Sequence, residues 1–144
     1  MRYGVIDLGS NTIRTVVYET EGKSFKKLIS ERSFTGILNY IENGRLRPDG
    51  IEAIREAVSR MAELCRLLGC AEIHAFATAS LRGVQNAGAV CEALSDTGVS
   101  VRVLTGEEEA ACDFAGLMAS GLTPDGLGFD LGGGSCQIIR YAGR

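Results

Sequence analysis

The chain has 144 residues, a formal net charge of −3 and 45% hydrophobic side chains. At roughly 150 residues a chain buries about 70% of its unfolded surface, so it can hold a core without disulfide or metal staples. The near-balanced charge provides no long-range field for collecting nucleic acid or an anionic membrane, partners bound mainly through clustered Lys and Arg.

Residues 2 to 8 form a short apolar run ending in Asp-Leu-Gly, and residues 12 to 19 form a β-branched run directly after it; the pair reads as a hairpin. A third strand is predicted over Ser24 to Phe34, after a turn at Glu21-Gly22, and residues 35 to 48 read as loop. Asp49 with Glu52 three residues on has the capping-box pattern. Ile51, Ile54, Val58, Met61, Cys65 and Leu68 then recur at helical spacing until Gly69. A buried strand is predicted over Ala71 to Ala77, with the lone His74 packed inside it. A short helix follows from about Asn86 to Asp96, then a strand over Val99 to Leu104. Thr105 with Glu108 makes a second capping box, opening a helix to about Ser120. Strands over 127 to 131 and 135 to 141 close the chain. This order predicts an α/β fold, a mixed five-stranded sheet with flanking helices plus a C-terminal hairpin, as in a ribonuclease H-like lobe of the actin family.

No segment approaches the ~20 apolar residues that cross a bilayer and the N-terminus lacks an apolar signal region, so a cytoplasmic location without membrane or nucleic-acid partners is expected. The five cysteines are odd in number and form no Cys-x-x-Cys pair, which favours reduced thiols.

One segment echoes another. Val5-Ile6-Asp7-Leu8-Gly9-Ser10-Asn11-Thr12 can be laid against Gly128-Phe129-Asp130-Leu131-Gly132-Gly133-Gly134-Ser135, each a strand, Asp-Leu-Gly, small residues and a hydroxyl. The separation suits the beginnings of two duplicated lobes, here 1–124 and the opening hairpin 125–144 of a second. Small residues at such turns expose successive N–H groups that can cradle phosphate. Asp7 and Asp130, one before each turn, can hold a hard cation such as Mg²⁺. Taken singly, each turn also reads as an ordinary hairpin with Asp capping it; together they describe a metal–phosphate site.

Glu107, Glu108 and Glu109 occupy the first turn of a helix, where the macrodipole favours acids. Successive helical positions diverge by ~100°. Glu107 is expected with the apolar stripe of Ala110, Phe114 and Leu117, and Glu108 in the capping box. Glu109 is expected on the flank with Asp113, reaching a cleft without being buried. Arg14 and Arg82 each follow a turn of small or hydroxyl residues and can chelate phosphate through paired N–H bonds, though surface arginines are also common.

Four segments together resemble the exopolyphosphatase and guanosine pentaphosphate phosphohydrolase family of the actin-like ATPase superfamily. They are residues 5–12, Ala77-Thr78-Ala79-Ser80-Leu81-Arg82 with Asn86, Thr105-Gly106-Glu107-Glu108-Glu109-Ala110, and Phe129 to Ser135. The resemblance implies Mg²⁺-assisted hydrolysis of the terminal phosphoanhydride of polyphosphate or of the 5′-phosphate of guanosine pentaphosphate. It places the catalytic glutamate on Glu109 and the phosphate loops on Gly9, Ser10, Asn11, Thr12 and on Gly132, Gly133, Gly134, Ser135. The phosphate-binding arginines fall on Arg14 and Arg82. Where the family usually carries Glu two residues after the second loop's serine, this chain has Gln137, and where Arg commonly follows Glu-Glu-Ala it has Ala111. The family's site lies between two lobes, so a C-terminal lobe of the same protein is an expected partner, and the chain alone is expected to turn over polyphosphate weakly or not at all. Unpaired edges and apolar Ile138, Ile139 and Tyr141 in residues 127 to 141 predict either self-association as a homodimer or folding back onto the main sheet. A non-catalytic sensor of guanosine tetra- or pentaphosphate, or of polyphosphate, and a sugar or acetate kinase of the same superfamily are the alternatives. A ribonuclease H-type nuclease is disfavoured because only Glu72 is available to join Asp7 from the fourth strand.

Overall fold

The computed structural model describes residues 1–22, 24–121 and 125–142. Strands β1 (Arg2–Leu8), β2 (Ile13–Glu21) and β3 (Ser24–Ser33) form an antiparallel meander. A 3₁₀ turn (Ile37–Tyr40) leads into a small hairpin of β4 (Ile41–Glu42) and β5 (Arg45–Leu46), and then α1 (Pro48–Leu67). Next come β6 (Glu72–Ala77), the single turn α2 (Ala79–Arg82), α3 (Ala87–Ala93), a 3₁₀ turn (Ser95–Thr97) and β7 (Val101–Val103). The chain continues through α4 (Gly106–Ala119) into β8 (Asp125–Leu131) and β9 (Cys136–Ala142). The main sheet has the order β3-β2-β1-β6-β7, with β6 and β7 parallel to β1. This is the mixed five-stranded sheet that the sequence predicts.

Period-two alternation decides which side chains reach the core. Ile6 and Leu8 of β1, Ile13, Thr15 and Val17 of β2, and Ala75 and Ala77 of β6 are buried on one face. Ile54, Ala57, Val58, Met61, Ala62 and Cys65, one stripe of α1, cover that face. The other face carries a row in register across all five strands: Arg102, Phe76, Asp7, Arg14 and Arg32. His74 lies on this second face, half exposed, stacked on Tyr3 with 6.4 Å between ring centroids and 3.2 Å from Glu72. It is therefore not the packed core histidine expected: the inward positions of β6 belong to Ile73, Ala75 and Ala77.

Three local expectations change. The capping box at Asp49 does not form, because Pro48 opens α1 and its preset φ suits the first helical position. Asp49 instead accepts two hydrogen bonds from Arg47, at 3.0 and 2.8 Å, and Glu52 pairs with Arg55. The loop at 35–48 contains a hairpin whose Asn43-Gly44 turn takes φ of 49° and 74°, the Asn-Gly signature of a two-residue turn. Asn86 clamps that hairpin through both the N–H and the carbonyl of Leu46. The second capping box does form: Thr105 Oγ1 accepts from Glu108 N–H while the Glu108 carboxylate accepts from Thr105 N–H.

The C-terminal hairpin is a separate two-stranded sheet seated on α4, not a return to the main sheet. Gly128 lies so close to Leu117 that a Cβ there would stand 2.5 Å from its Cδ1, and Tyr141 packs on Phe114. Ile139 is buried and Tyr141 partly so, against the expectation that both face water. The exposed apolar row lies on the opposite face, with Leu127, Phe129 at 62%, Leu131 at 77% and Ile138. Residues 122–124, where the expected lobe boundary ends, and 143–144 lie outside the described residues.

Ile54, fully buried, and Ile138, largely exposed, provide a stability test. In urea or thermal unfolding Ile54→Ala is expected to cost about 2–5 kcal/mol, and Ile138→Ala less than about 0.5 kcal/mol.

Candidate active site

The second face of the sheet forms the floor of a cleft of about 580 Å³, walled by α4 and the β8–β9 turn. The two Asp-Leu-Gly loops meet there. A Cβ on Gly134 would stand 2.5 Å from Ser10 Oγ, and one on Gly133 would stand 3.5 Å from the Asn11 nitrogen. Only glycine permits this approach. The first loop is braced from behind: Gly36 N–H donates to the Asn11 carbonyl at 2.9 Å, Leu38 N–H to the Ser10 carbonyl at 3.3 Å, and Ser80 Oγ–H to the Leu8 carbonyl at the loop's entry. Among the described residues, the N–H groups of Ser10, Asn11 and Thr12 and of Gly133, Gly134 and Ser135 donate to no protein acceptor. Gly132 N–H closes its own turn on the Ser135 carbonyl at 2.9 Å. Two abutting turns thus carry six backbone donors without a protein acceptor, and successive free N–H groups of this kind are able to hold an anion.

Most of the expected site residues line the cleft. Gly9 to Thr12, Asp7 and Arg14 come from the β1–β2 side, Glu109 from α4, and Asp130, Gly132, Gly133 and Ser135 from the hairpin. Gly134 faces Ser10 instead, as the contact between the loops. Glu109 is 7% exposed, not the unburied flank residue expected, and Glu107 is the exposed member of the three. The reason is an ion pair: Arg82, at the end of α2, donates from one terminal nitrogen to Glu109 Oε2 and from Nε to the Leu104 carbonyl, at 2.9 Å for the latter. Arg82 thus stands behind Glu109, outside the cleft lining, and its immediate ligand is this carboxylate.

Four carboxylates share the cleft: Asp7, Glu109, Asp113 and Asp130. Removal from bulk water raises the Asp7 carboxyl above its ordinary range, with Glu109 adding to the effect and Arg14 opposing it. Asp113 is raised likewise by desolvation, then by Asp130 and Glu109. Asp113 Oδ2 and Gln137 Oε1 are buried acceptors without a partner. Asp113 is one helical turn from Glu109, a relation visible in the sequence. Arg32 was not singled out there, because its place beside Arg14 depends on the β2–β3 register.

The donor set fits Mg²⁺. It consists of hard carboxylate oxygens, of which only Glu109 is held in an ion pair, and Mg²⁺ needs only one or two carboxylates, completing its shell with water and phosphate. Among the described residues no three His, Cys, Asp or Glu side chains converge as a group that could hold a metal ion by themselves. All five cysteines are free thiols. No helix among the described residues is long and apolar enough to cross a membrane.

The sheet order, the paired Asp-Leu-Gly turns and the cleft between them define a lobe of the actin-like ATPase fold. The chain superposes on an exopolyphosphatase from Cytophaga hutchinsonii with a TM-score of 0.88 at 22% identity, covering 99% of this chain and 47% of that one. On the Aquifex aeolicus PPX-GPPA enzyme the TM-score is 0.86 at 27% identity, covering 99% and 49%. The chain belongs to the Ppx/GppA phosphatase family, whose model matches residues 15–143. It is 30% identical over 145 aligned positions to exopolyphosphatase 1 of Mycobacterium bovis, spanning 96% of this chain and 42% of that relative. The chain therefore spans less than half the length of that relative.

A carboxyl raised in the native state binds its proton more tightly when folded. It favours folding below its unfolded value, near 3.8 for Asp7 and Asp113, and that contribution is lost as pH rises through the native value. Asp7→Asn and Asp113→Asn are each expected to raise Tm in metal-free buffer at about pH 7, with the gain vanishing below about pH 3.5. Thermal scans at the two pH values check this.

Proposed function

We propose that these residues form the catalytic half of a phosphohydrolase that removes the terminal phosphate of inorganic polyphosphate, or the 5′-phosphate of guanosine pentaphosphate, with Mg²⁺ and with Glu109 as base. In this reading residues 1–124 are a first lobe, 125–144 open a second, and the substrate lies between them. The observation that carries the reading is the pair of abutting loops with six unpaired N–H groups beside a carboxylate held by Arg82. The named exopolyphosphatase relative supports the same chemistry.

Phosphoryl transfer asks the protein mainly to position its reactants and neutralise spreading charge. The loop N–H groups and Arg14 bind the terminal phosphate. Arg82 occupies Glu109 Oε2 and fixes the carboxylate's orientation, leaving Oε1 for the attacking water. Glu109 accepts that water's proton as the oxygen attacks phosphorus, and the shortened chain leaves with the electron pair of the broken P–O bond. Mg²⁺, held by Asp7 and Asp130 directly or through water, supplies charge neutralisation at the phosphate oxygens. Arg82 is thus a positioning residue.

The deciding experiment is phosphate release from long-chain polyphosphate with Mg²⁺ by the full-length natural polypeptide carrying these residues. Glu109→Gln is expected to reduce release at least about 100-fold, and chelation of the metal to abolish it. The 144-residue chain alone is expected to release little or none. Release that survives Glu109→Gln rejects Glu109 as base. Tight binding without release makes the protein a sensor, and ATP-dependent phosphorylation makes it a kinase.

The exposed row of Leu127, Phe129, Leu131 and Ile138 is where a second lobe would seat, and in its absence a second copy of the chain takes that place. Sedimentation of the 144-residue chain is expected to show concentration-dependent dimers that Phe129→Lys shifts to monomers. Monomers at every concentration would remove the homodimer.

A further inference from the structure

The five-strand row on the cleft face is electrostatically graded. Asp7 sits on the central strand, Arg14 on the next and Arg32 on the outermost, as register partners. Adjacent strands are about 4.8 Å apart, so Asp7 and Arg32 are separated by roughly 10 Å at the backbone. The carboxylates from α4 and the hairpin gather at the Asp7 end. At the other end both guanidiniums line the cleft.

The two arginines are held differently. Arg14 Nε donates to Ser30 Oγ at 3.1 Å, which anchors the head and leaves its terminal nitrogens free. Arg32 makes no hydrogen bond or ion pair among the described residues, although it borders a cleft with four acidic side chains. Its chain neighbours Glu31 and Ser33 point by alternation to the opposite face. Beyond β3 the sheet has no further strand, so the cleft floor ends at Arg32.

Because Arg14 and Arg32 follow Asp7 in register on successive strands, a phosphate chain running outward from the loops along this row would meet Arg14 first and Arg32 next. A guanidinium presents paired N–H donors that match phosphate oxygens, and charge-assisted bonds of this kind are the strong ones. We infer that Arg32 is a substrate-binding residue that grips a non-terminal phosphate, so that the cleft favours a run of three or more phosphates over a single one. The inference rests on the phosphohydrolase reading and deepens it by assigning where the rest of the substrate lies. The competing explanation is that an exposed arginine on an outer strand merely discourages edge pairing.

Calorimetric titration of the full-length natural polypeptide, carrying Glu109→Gln to prevent turnover, with tripolyphosphate and with orthophosphate, both with Mg²⁺, separates the two. Arg32→Ala is expected to weaken tripolyphosphate at least about tenfold while changing orthophosphate less than about twofold, and Arg32→Lys to recover part of the loss. Arg60→Ala removes the same charge from the groove on the α1 side of the sheet, which Arg32 also borders but which lies outside the cleft lining, and is expected to change neither ligand. An Arg32→Ala protein that binds tripolyphosphate normally, loses both ligands equally, or loses no more than Arg60→Ala overturns the assignment while the loops keep their role. Binding of neither ligand by the full-length polypeptide with Arg32 intact overturns the phosphohydrolase reading, and the role of Arg32 with it.

Discussion

The contact on which the site depends is the approach of Gly133 and Gly134 to Ser10 and Asn11. No side chain beyond hydrogen fits between the two turns, because a Cβ on Gly134 would stand 2.5 Å from a hydroxyl that is itself buried. That approach sets two rows of N–H donors against one cavity and brings Asp130 to the same cleft as Asp7. It also determines how the hairpin seats on α4, where Gly128 makes a similarly close contact with Leu117. The high glycine content of the chain is thus partly a record of backbone-to-side-chain approaches, of the kind a Cβ would forbid.

Charge is arranged around this contact with little regard for the stability of the isolated chain. Four carboxylates share one cleft and two of them are pushed above their ordinary range, chiefly by loss of water. Two buried acceptor oxygens, on Asp113 and Gln137, have no partner. Unpaired acceptors and raised carboxyls gathered in a cleft are features that functional sites often share. Glu109 is the exception: it is the most buried of the four, and Arg82 balances it.

The hairpin has two unlike faces. One carries Gly126, Gly128, Asp130, Gln137, Ile139 and Tyr141, and packs on α4 or turns toward the cleft; the other carries the exposed apolar row. The first face completes the site with residues from the C-terminal end of the chain, so the cleft is closed by the very segment that the repeat suggested as the start of another lobe.

Much of the fold was legible in the residue pattern. Apolar and β-branched runs located the strands of the main sheet, the Ile51-to-Leu68 spacing located α1, and Thr105 with Glu108 marked the start of α4. The repeated Asp-Leu-Gly turns picked out two segments that the structure brings together at one cleft. Only the tertiary structure decided the rest. The Asp49 capping box yielded to Pro48 because two local signals competed for one helix start. His74 proved exposed because strand alternation shows that two faces exist, not which one α1 will cover. The burial of Glu109 depends on Arg82, 27 positions earlier in the chain, and the place of Arg32 depends on strand register. Local spacing determines turns, caps and periodicity; partners distant in sequence are set by how the elements pack, which no short window contains.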